Sequence, residues 1–123
     1  MKYILLAYTN QADWAAVDMT SPEFQAMCEF YANLGQELTE SGELVLTEGL
    51  ADPSLTRTVR KGDGGPVATD GPYAEAKEVL VSFAIVDCAS HDRAMAIAAR
   101  VVDAIGDTVE VRPIMAGPPG AEG

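Results

Sequence analysis

The stretch TDGPYAEAKEVLVSFAIVD, residues 69–87, carries the strongest fold signal in this 123-residue chain. It begins with a D-G-P turn and a short charged segment, and it ends in the apolar run 79–86. An apolar run of this length, bounded by turn residues, predicts a β-strand over Glu78–Asp87 that is covered on both faces. The turn itself either starts that strand or forms the edge of a chemical site.

Further strands are predicted on both sides of this stretch. Residues 2–8 are apolar on both faces, residues 43–50 alternate in polarity, and residues 108–115 form a final strand. Between them, a GDGG turn joins residues 56–61 and 67–69 into a predicted β-hairpin.

Two helices are predicted from capping residues and from apolar residues at three- and four-residue spacing. The first begins at TSPEF, where Thr20 or Ser21 caps the helix. Its expected buried face comprises Phe24, Met27, Cys28, Tyr31, Leu34 and Leu38. The second begins after Ser90 and ends at Gly106, with an expected buried face of Ala94, Met95, Ala98, Val101, Val102 and Ile105. Residues 9–20, which contain Trp14, are expected to form a polar loop.

Without the hairpin, the predicted element order is βαββαβ, which is the order of a ferredoxin-like α+β fold. Two helices cover only one face of an antiparallel sheet, yet residues 2–8 and 79–86 are apolar on both faces. We therefore expect a second copy of the chain to cover the other face, giving a homodimer that closes into an α+β barrel. Residues 1–115 are expected to form one domain, and residues 116–123 a flexible tail.

The charge distribution limits the partners. The chain has 8 basic and 19 acidic residues, a formal net charge of −11, so nucleic-acid binding is not expected. Four of the eight basic residues lie within residues 57–78, beside four acidic ones. This charge-balanced segment is either an exposed hairpin with paired charges or a site for a small anionic or polar metabolite.

No apolar run approaches the roughly 18 residues of a membrane span, and the N-terminus lacks the features of a signal peptide. A cytoplasmic protein of bacterial type, with no membrane partner, is expected. Cys28 and Cys88 are expected to be reduced core residues. The sequence contains no His/Cys cluster at metal-ligand spacing and no phosphate-loop motif, so neither a metal nor a cofactor is expected.

The motif TDGPYAEAKE, together with MKYILLAY at the start, TVR at residues 58–60 and VEVRPI at residues 109–114, resembles the DGPF subgroup of the YCII-related family. The resemblance covers nearly the whole chain and implies a dimeric α+β barrel. It also implies an enzyme using a His–Asp pair, or a protein acting beside an extracytoplasmic-function sigma factor. The family's Asp matches Asp70, but residues 13–41 contain no His where its partner belongs, and the sole histidine is His91.

Asp70 is accordingly the candidate catalytic residue, with an ordinary alternative as the first residue of a hydrogen-bonded turn. Candidate ligand-binding residues follow in the motif, Tyr73 and Lys77. The alternative for Lys77, with Glu75 and Glu78, is a solvated turn with weak ion pairs. In the last strand, Glu110 and Arg112 are expected to face the dimer side, either as a site or as an interface ion pair.

Two further candidates for ligand binding lie outside the motif. Tyr8 ends the first strand and either reaches the cavity or is a core aromatic residue. Arg60 of the hairpin is either an anion contact or the ion-pair partner of Asp70.

Overall fold

The computed structural model describes residues 1–71 and 77–117. In chain order the elements are β1 (Lys2–Asn10), α1 (Gln11–Ala15), α2 (Pro22–Glu40), β2 (Leu44–Gly49), a 3₁₀ turn (Pro53–Leu55), β3 (Arg57–Gly62), β4 (Gly65–Asp70), β5 (Glu78–Asp87), α3 (His91–Ile105) and β6 (Thr108–Pro113). Within the described ranges, no helix is both long enough and apolar enough to span a membrane.

Four strands form an antiparallel sheet in the order β2-β5-β1-β6, while β3 and β4 pair with each other in a separate two-stranded sheet. The two central strands, β1 and β5, are the two segments that the sequence marks as apolar on both faces. This mixed architecture, with helices against an antiparallel sheet, agrees with the ferredoxin-like α+β fold predicted from the element order.

Side-chain caps fix the starts of both long helices. The Ser21 Oγ accepts a hydrogen bond from the Phe24 backbone N–H at 3.1 Å, and the Ser90 Oγ accepts one from the Arg93 N–H at 3.1 Å. The second of these helices ends at Gly106, whose φ of 87° lies in the left-handed region that glycine adopts without strain. The capping residues predicted from the sequence are thus confirmed at these three positions.

The hydrophobic core lies between the sheet and the two long helices. Its buried residues include Tyr3, Leu5, Leu34, Leu38, Val86, Ala94, Ile97, Ala98 and Val101. The predicted faces were wrong at three helical positions, since Cys28 is exposed, as are Met95 and Val102. These residues flank the stripes that face the sheet, and on α3 the stripe passes through Ile97 instead.

The predicted loop at residues 9–20 was also wrong in part. β1 continues to Asn10, whose side-chain Oδ1 caps the short helix α1 by accepting from the N–H groups of Ala12 and Asp13. Because this cap starts α1 immediately after β1, Trp14 lies on a helix close to the end of the strand.

The sheet face that points away from the helices is apolar, and none of the residues described by the structure covers it. Ile4, Leu6, Phe83 and Ile85 are half-buried on this face, and Leu46 of the outer strand β2 is 42% exposed. On β6, Val109 and Val111 pack against the helix-side core, as predicted from alternation along the strand.

Candidate functional site

A cavity of about 420 Å³ lies between α2 and the helix-facing side of the sheet. This volume falls within the range of small-molecule sites. Met27, Tyr31 and Leu34 of α2 line it on one side, and Trp14, the single tryptophan of the chain, lines it from α1. The sheet contributes mostly apolar or small residues, among them Leu5, Ala7, Leu44, Ala84, Val86 and Val109.

The cavity follows from a decrease in side-chain size along the two central strands. Up to the irregularity in the strand register after Ala7, the helix-facing residues run Tyr3, Leu5 and Ala7 along β1, and Val86, Ala84 and Ser82 along β5 in the same direction. Ala7 lies opposite Ser82, so two small residues are adjacent where the space opens. Because α2 buries Leu34 and Leu38 but leaves Met27 and Tyr31 only half-buried, the volume beside the small residues is not filled.

Polar groups gather at the end of the cavity where β1 finishes and β6 begins. They are Thr9, Ser82, Tyr31 and Asp107, all of which line the cavity. Burial raises the pKa of the Tyr31 phenol to about 12, with a further contribution from the charge of Asp107, while a hydrogen-bonding interaction with the Ser82 hydroxyl opposes the rise.

Asp107 itself lies in the turn between α3 and β6 and is half-buried. Burial raises the pKa of its carboxyl above the usual value, a hydrogen-bonding interaction with Thr9 counteracts this, and the charge of Glu78 adds to the rise. A partly desolvated carboxyl group in an apolar cavity is a common feature of binding and catalytic sites.

The end of the D-G-P motif lies at the same end of the sheet. The Lys77 carbonyl accepts a hydrogen bond from the Gln11 N–H at 2.7 Å, and Glu78 is paired with Asn10 in the sheet. The Thr108 hydroxyl donates to Glu78 Oε1 at 3.4 Å. The motif therefore leads the chain to the polar end of the cavity, whereas Tyr73 lies outside the described residues.

Asp70 is placed differently, at the end of the β3–β4 hairpin. Its side chain is 93% exposed, and its carboxylate lies 3.3 Å from the Nε of Arg57, its neighbour across the hairpin. The cation beside Asp70 is thus Arg57, while Arg60 lies opposite Val67 and is exposed.

The turn that follows Asp70 is attached to the hairpin by two hydrogen bonds. The Gly71 N–H donates to the Thr56 carbonyl at 2.7 Å, and the Thr58 hydroxyl donates to the Gly71 carbonyl at 2.7 Å. Gly71 has a φ of 88°, a conformation that L-residues with a Cβ rarely adopt. Glycine at position 71 therefore allows the backbone to make this turn without strain.

The remaining candidates lie on the opposite face of the sheet from the cavity. Arg112 is paired with Ile4, and Glu110 with Leu6, so both charged residues share the open apolar face and are exposed in this chain. Tyr8 follows on the same face of β1 and is half-buried. The structure therefore divides the predicted residues among the hairpin, the open sheet face and the end of the cavity.

Sequence reasoning missed the central polar residues of the cavity. Tyr31 was predicted only as part of a buried helix face, and Ser82 and Asp107 were not candidates at all. The decrease in size along alternate residues of β1 and β5 was a usable signal for a gap on the helix side of the sheet. Among the described residues, no group of His, Cys, Asp and Glu is arranged to hold a metal ion.

Comparison with known proteins shows the family to which the chain belongs. Residues 1–116 match the YCII-related domain, and the chain belongs to this family. The chain is also similar to an uncharacterised protein of Rhizobium meliloti (strain 1021), with 30% identity over 122 residues that make up 98% of this chain and 97% of the relative.

Proposed function

We propose that this YCII-related protein binds a small molecule in the cavity between α2 and the sheet. The observation that carries the proposal is the combination of an apolar volume of about 420 Å³ with polar groups gathered at one end. Binding sites for small molecules commonly pair an apolar enclosure, which supplies affinity, with a few polar groups that fix orientation. Here Tyr31, Ser82 and Asp107 supply those groups.

The substitution Ala84→Leu tests the location of the site, because it adds three carbon atoms to the floor of the cavity. A fragment library is measured by ligand-observed NMR against the wild type and the variant. Fragments that bind the wild type should lose binding by about tenfold or more when the volume is filled. Ala99→Leu, the same change at an exposed position of α3, is the matched control and should leave binding intact. Fragments that bind both variants equally would place the site elsewhere.

As a catalytic version of this function, we propose that the protein is an enzyme that carries out acid–base chemistry on the molecule bound in the cavity. The raised pKa of Asp107 favours it, because general acid–base catalysis uses groups whose pKa is shifted toward neutrality. Asp70, the residue suggested by the family resemblance, stays a prediction, and its surroundings are those of an exposed ion pair. Once a converted substrate is found, Asp70→Asn and Asp107→Asn distinguish the two. Loss of turnover in only one of them identifies the carboxyl group that acts.

We further propose that the open sheet face pairs with a second copy of the chain, giving the dimeric barrel. Support comes from Leu6 and Phe83, apolar side chains that are left half-buried on this face. Sedimentation velocity should give the mass of two chains for the wild type and of one chain for Leu6→Lys. Val59→Lys, on the exposed hairpin, is the control. A wild-type mass of one chain at micromolar concentration would contradict the dimer.

We also propose that the chain belongs to the DGPF subgroup, on the basis of the motif that begins at Asp70. The alternative function that accompanies this subgroup is a non-catalytic regulatory module acting beside an extracytoplasmic-function sigma factor. The acidic surface would then be the face that contacts the sigma factor. Failure of the purified protein to bind the sigma factor encoded nearest to it would remove this alternative.

A further inference from the structure

The charges around the cavity restrict what it can bind. Glu48 and Asp107 are its charged lining residues, but Glu48 is exposed and pairs with Phe83 of the open sheet face, so Asp107 is the one of the two that can present its charge to the cavity. Glu78 lies close enough to raise the pKa of Asp107. None of the lining residues is Lys, Arg or His. The segments 72–76 and 118–123, which the structure does not describe, contain no Lys, Arg or His in their sequence.

An anionic ligand would therefore enter an acidic, largely apolar space in which no lining residue is a cation that could neutralise it. Lys77, at the same end of the sheet, is exposed and does not line the cavity. Moving a carboxylate or phosphate out of water is costly unless it is paired, and the net charge of −11 adds repulsion at longer range. A neutral or cationic ligand has neither penalty. A cationic group beside the partly buried carboxyl of Asp107 would also gain a charge-assisted hydrogen bond.

Building on the proposed function, we infer that the cavity selects an apolar amine, or an uncharged hydrogen-bond donor of similar size. Its polar end lies against Asp107 and its apolar body along Ala7, Ala84 and Met27. Tyr31 and Ser82 carry hydroxyl groups beside the same polar end, so they can accept further hydrogen bonds from an ammonium group. The sequence alone left anionic and polar metabolites open, and the lining narrows this choice to ligands without negative charge.

A matched series of three probes tests the inference: phenylbutylamine, phenylbutanol and phenylbutanoate. They share one apolar body and differ in the charge of the head group. Trp14 lines the cavity and is the single tryptophan, so its fluorescence reports binding without a label. Titration at neutral pH should show the amine and the alcohol binding, with the carboxylate about tenfold weaker than the amine or worse.

Two variants separate a local effect of Asp107 from general attraction to an acidic protein. In Asp107→Asn, the preference for the amine over the alcohol should fall to within about twofold. The affinity for the alcohol should stay within about threefold of wild type, which shows that the cavity is intact. Asp103→Asn removes the same charge from an exposed position of α3 and should leave the preference unchanged.

The outcomes separate the two proposals. Equal or tighter binding of phenylbutanoate, or an amine preference that survives in Asp107→Asn, would overturn the inference while leaving the cavity as a binding site. Binding of none of the three probes would count against the cavity as a small-molecule site and therefore against both proposals. If the preference for the amine over the alcohol is lost in Asp107→Asn but kept in Asp103→Asn, the result supports both the binding site and its selectivity.

Discussion

The charge of Asp107, in the turn after α3, raises the pKa of the Tyr31 phenol on α2 across the polar end of the cavity. Both groups also have their pKa raised by burial, which is the larger cause for each. A residue of α2 and a residue of the turn before β6 are thus held near each other in a partly desolvated space that disfavours the ionised form of both groups. Such an arrangement is typical of sites maintained for function.

Asp107→Asn should stabilise the protein at neutral pH. The folded-state pKa of Asp107 is raised, so its ionised form is disfavoured in the folded chain once the pH exceeds the unfolded value. Removing the charge should increase the free energy of unfolding by about 0.5–1 kcal/mol at pH 7. Urea denaturation at pH 7 and pH 3 measures this.

The gain from Asp107→Asn should shrink at the lower pH, where the wild-type carboxyl becomes protonated. Asp103→Asn, at an exposed site, controls for the change in net charge. A variant less stable than wild type at pH 7 would show that Asp107 acts mainly through a structural hydrogen bond.

Tyr31→Phe should reduce the loss of stability at alkaline pH. In the folded chain the phenol has a pKa of about 12, above the usual value of 10, so the unfolded state ionises first. Wild-type stability should consequently fall between pH 10 and about 12, as the unfolded state loses this proton. Unfolding by urea at pH 9 and pH 11 tests this, with Tyr8→Phe on the other sheet face as the control. A parallel decline in wild type and Tyr31→Phe would contradict the assignment.

Glu43→Gln should weaken the junction between β2 and α3. Arg93 donates two hydrogen bonds of 2.9 Å to the Glu43 carboxylate, whose side chain is only 16% exposed, and the Ser41 hydroxyl donates a third at 2.8 Å. The bonds from Arg93, followed by that from Ser41, lower the pKa of Glu43 to about 2. The variant should lose about 1 kcal/mol of unfolding free energy at pH 7.

The sign of the pH dependence follows from the lowered pKa of Glu43. Its contribution is complete above the unfolded value of 4.5 and disappears as the pH falls toward about 2, so wild type and Glu43→Gln should converge in acid. Glu37→Gln breaks the more exposed pair with Arg100 and should have the smaller effect at pH 7. An effect of Glu37→Gln equal to that of Glu43→Gln would show that the two-bond geometry and low exposure of Glu43 do not matter.

Gly71→Ala should destabilise the turn after the hairpin. At a φ of 88°, an added Cβ introduces strain of about 1 kcal/mol. Amide exchange at position 71, whose N–H bonds to the Thr56 carbonyl, should accelerate by about fivefold. Gly64→Ala is the control, because its φ does not fall in the left-handed region and its surroundings are open. Unchanged exchange at position 71 would mean that the turn tolerates a side chain.

Local patterns in the sequence determined most of the fold. Ser21, Ser90 and Gly106 mark helix boundaries because capping depends on a few adjacent residues, and the predicted strand at Glu78–Asp87 has the observed bounds. The prediction was weaker at the edges of helix faces, as at Cys28 and Met95. At such positions, a small rotation of the helix about its axis decides whether a side chain is buried or exposed, and only the packing of the helix on the sheet fixes that rotation.

The sequence by itself therefore determined the element order, the helix caps, the apolar central strands and the D-G-P motif, since each depends on neighbouring residues. Only the tertiary structure decided where the candidate site lies. The cavity requires Ala7 and Ser82 to be paired across two strands, and its polar end requires Tyr31 and Asp107 to meet from distant parts of the chain. Pairing and burial of this kind arise from the packing of α2 on the sheet, which no local pattern encodes.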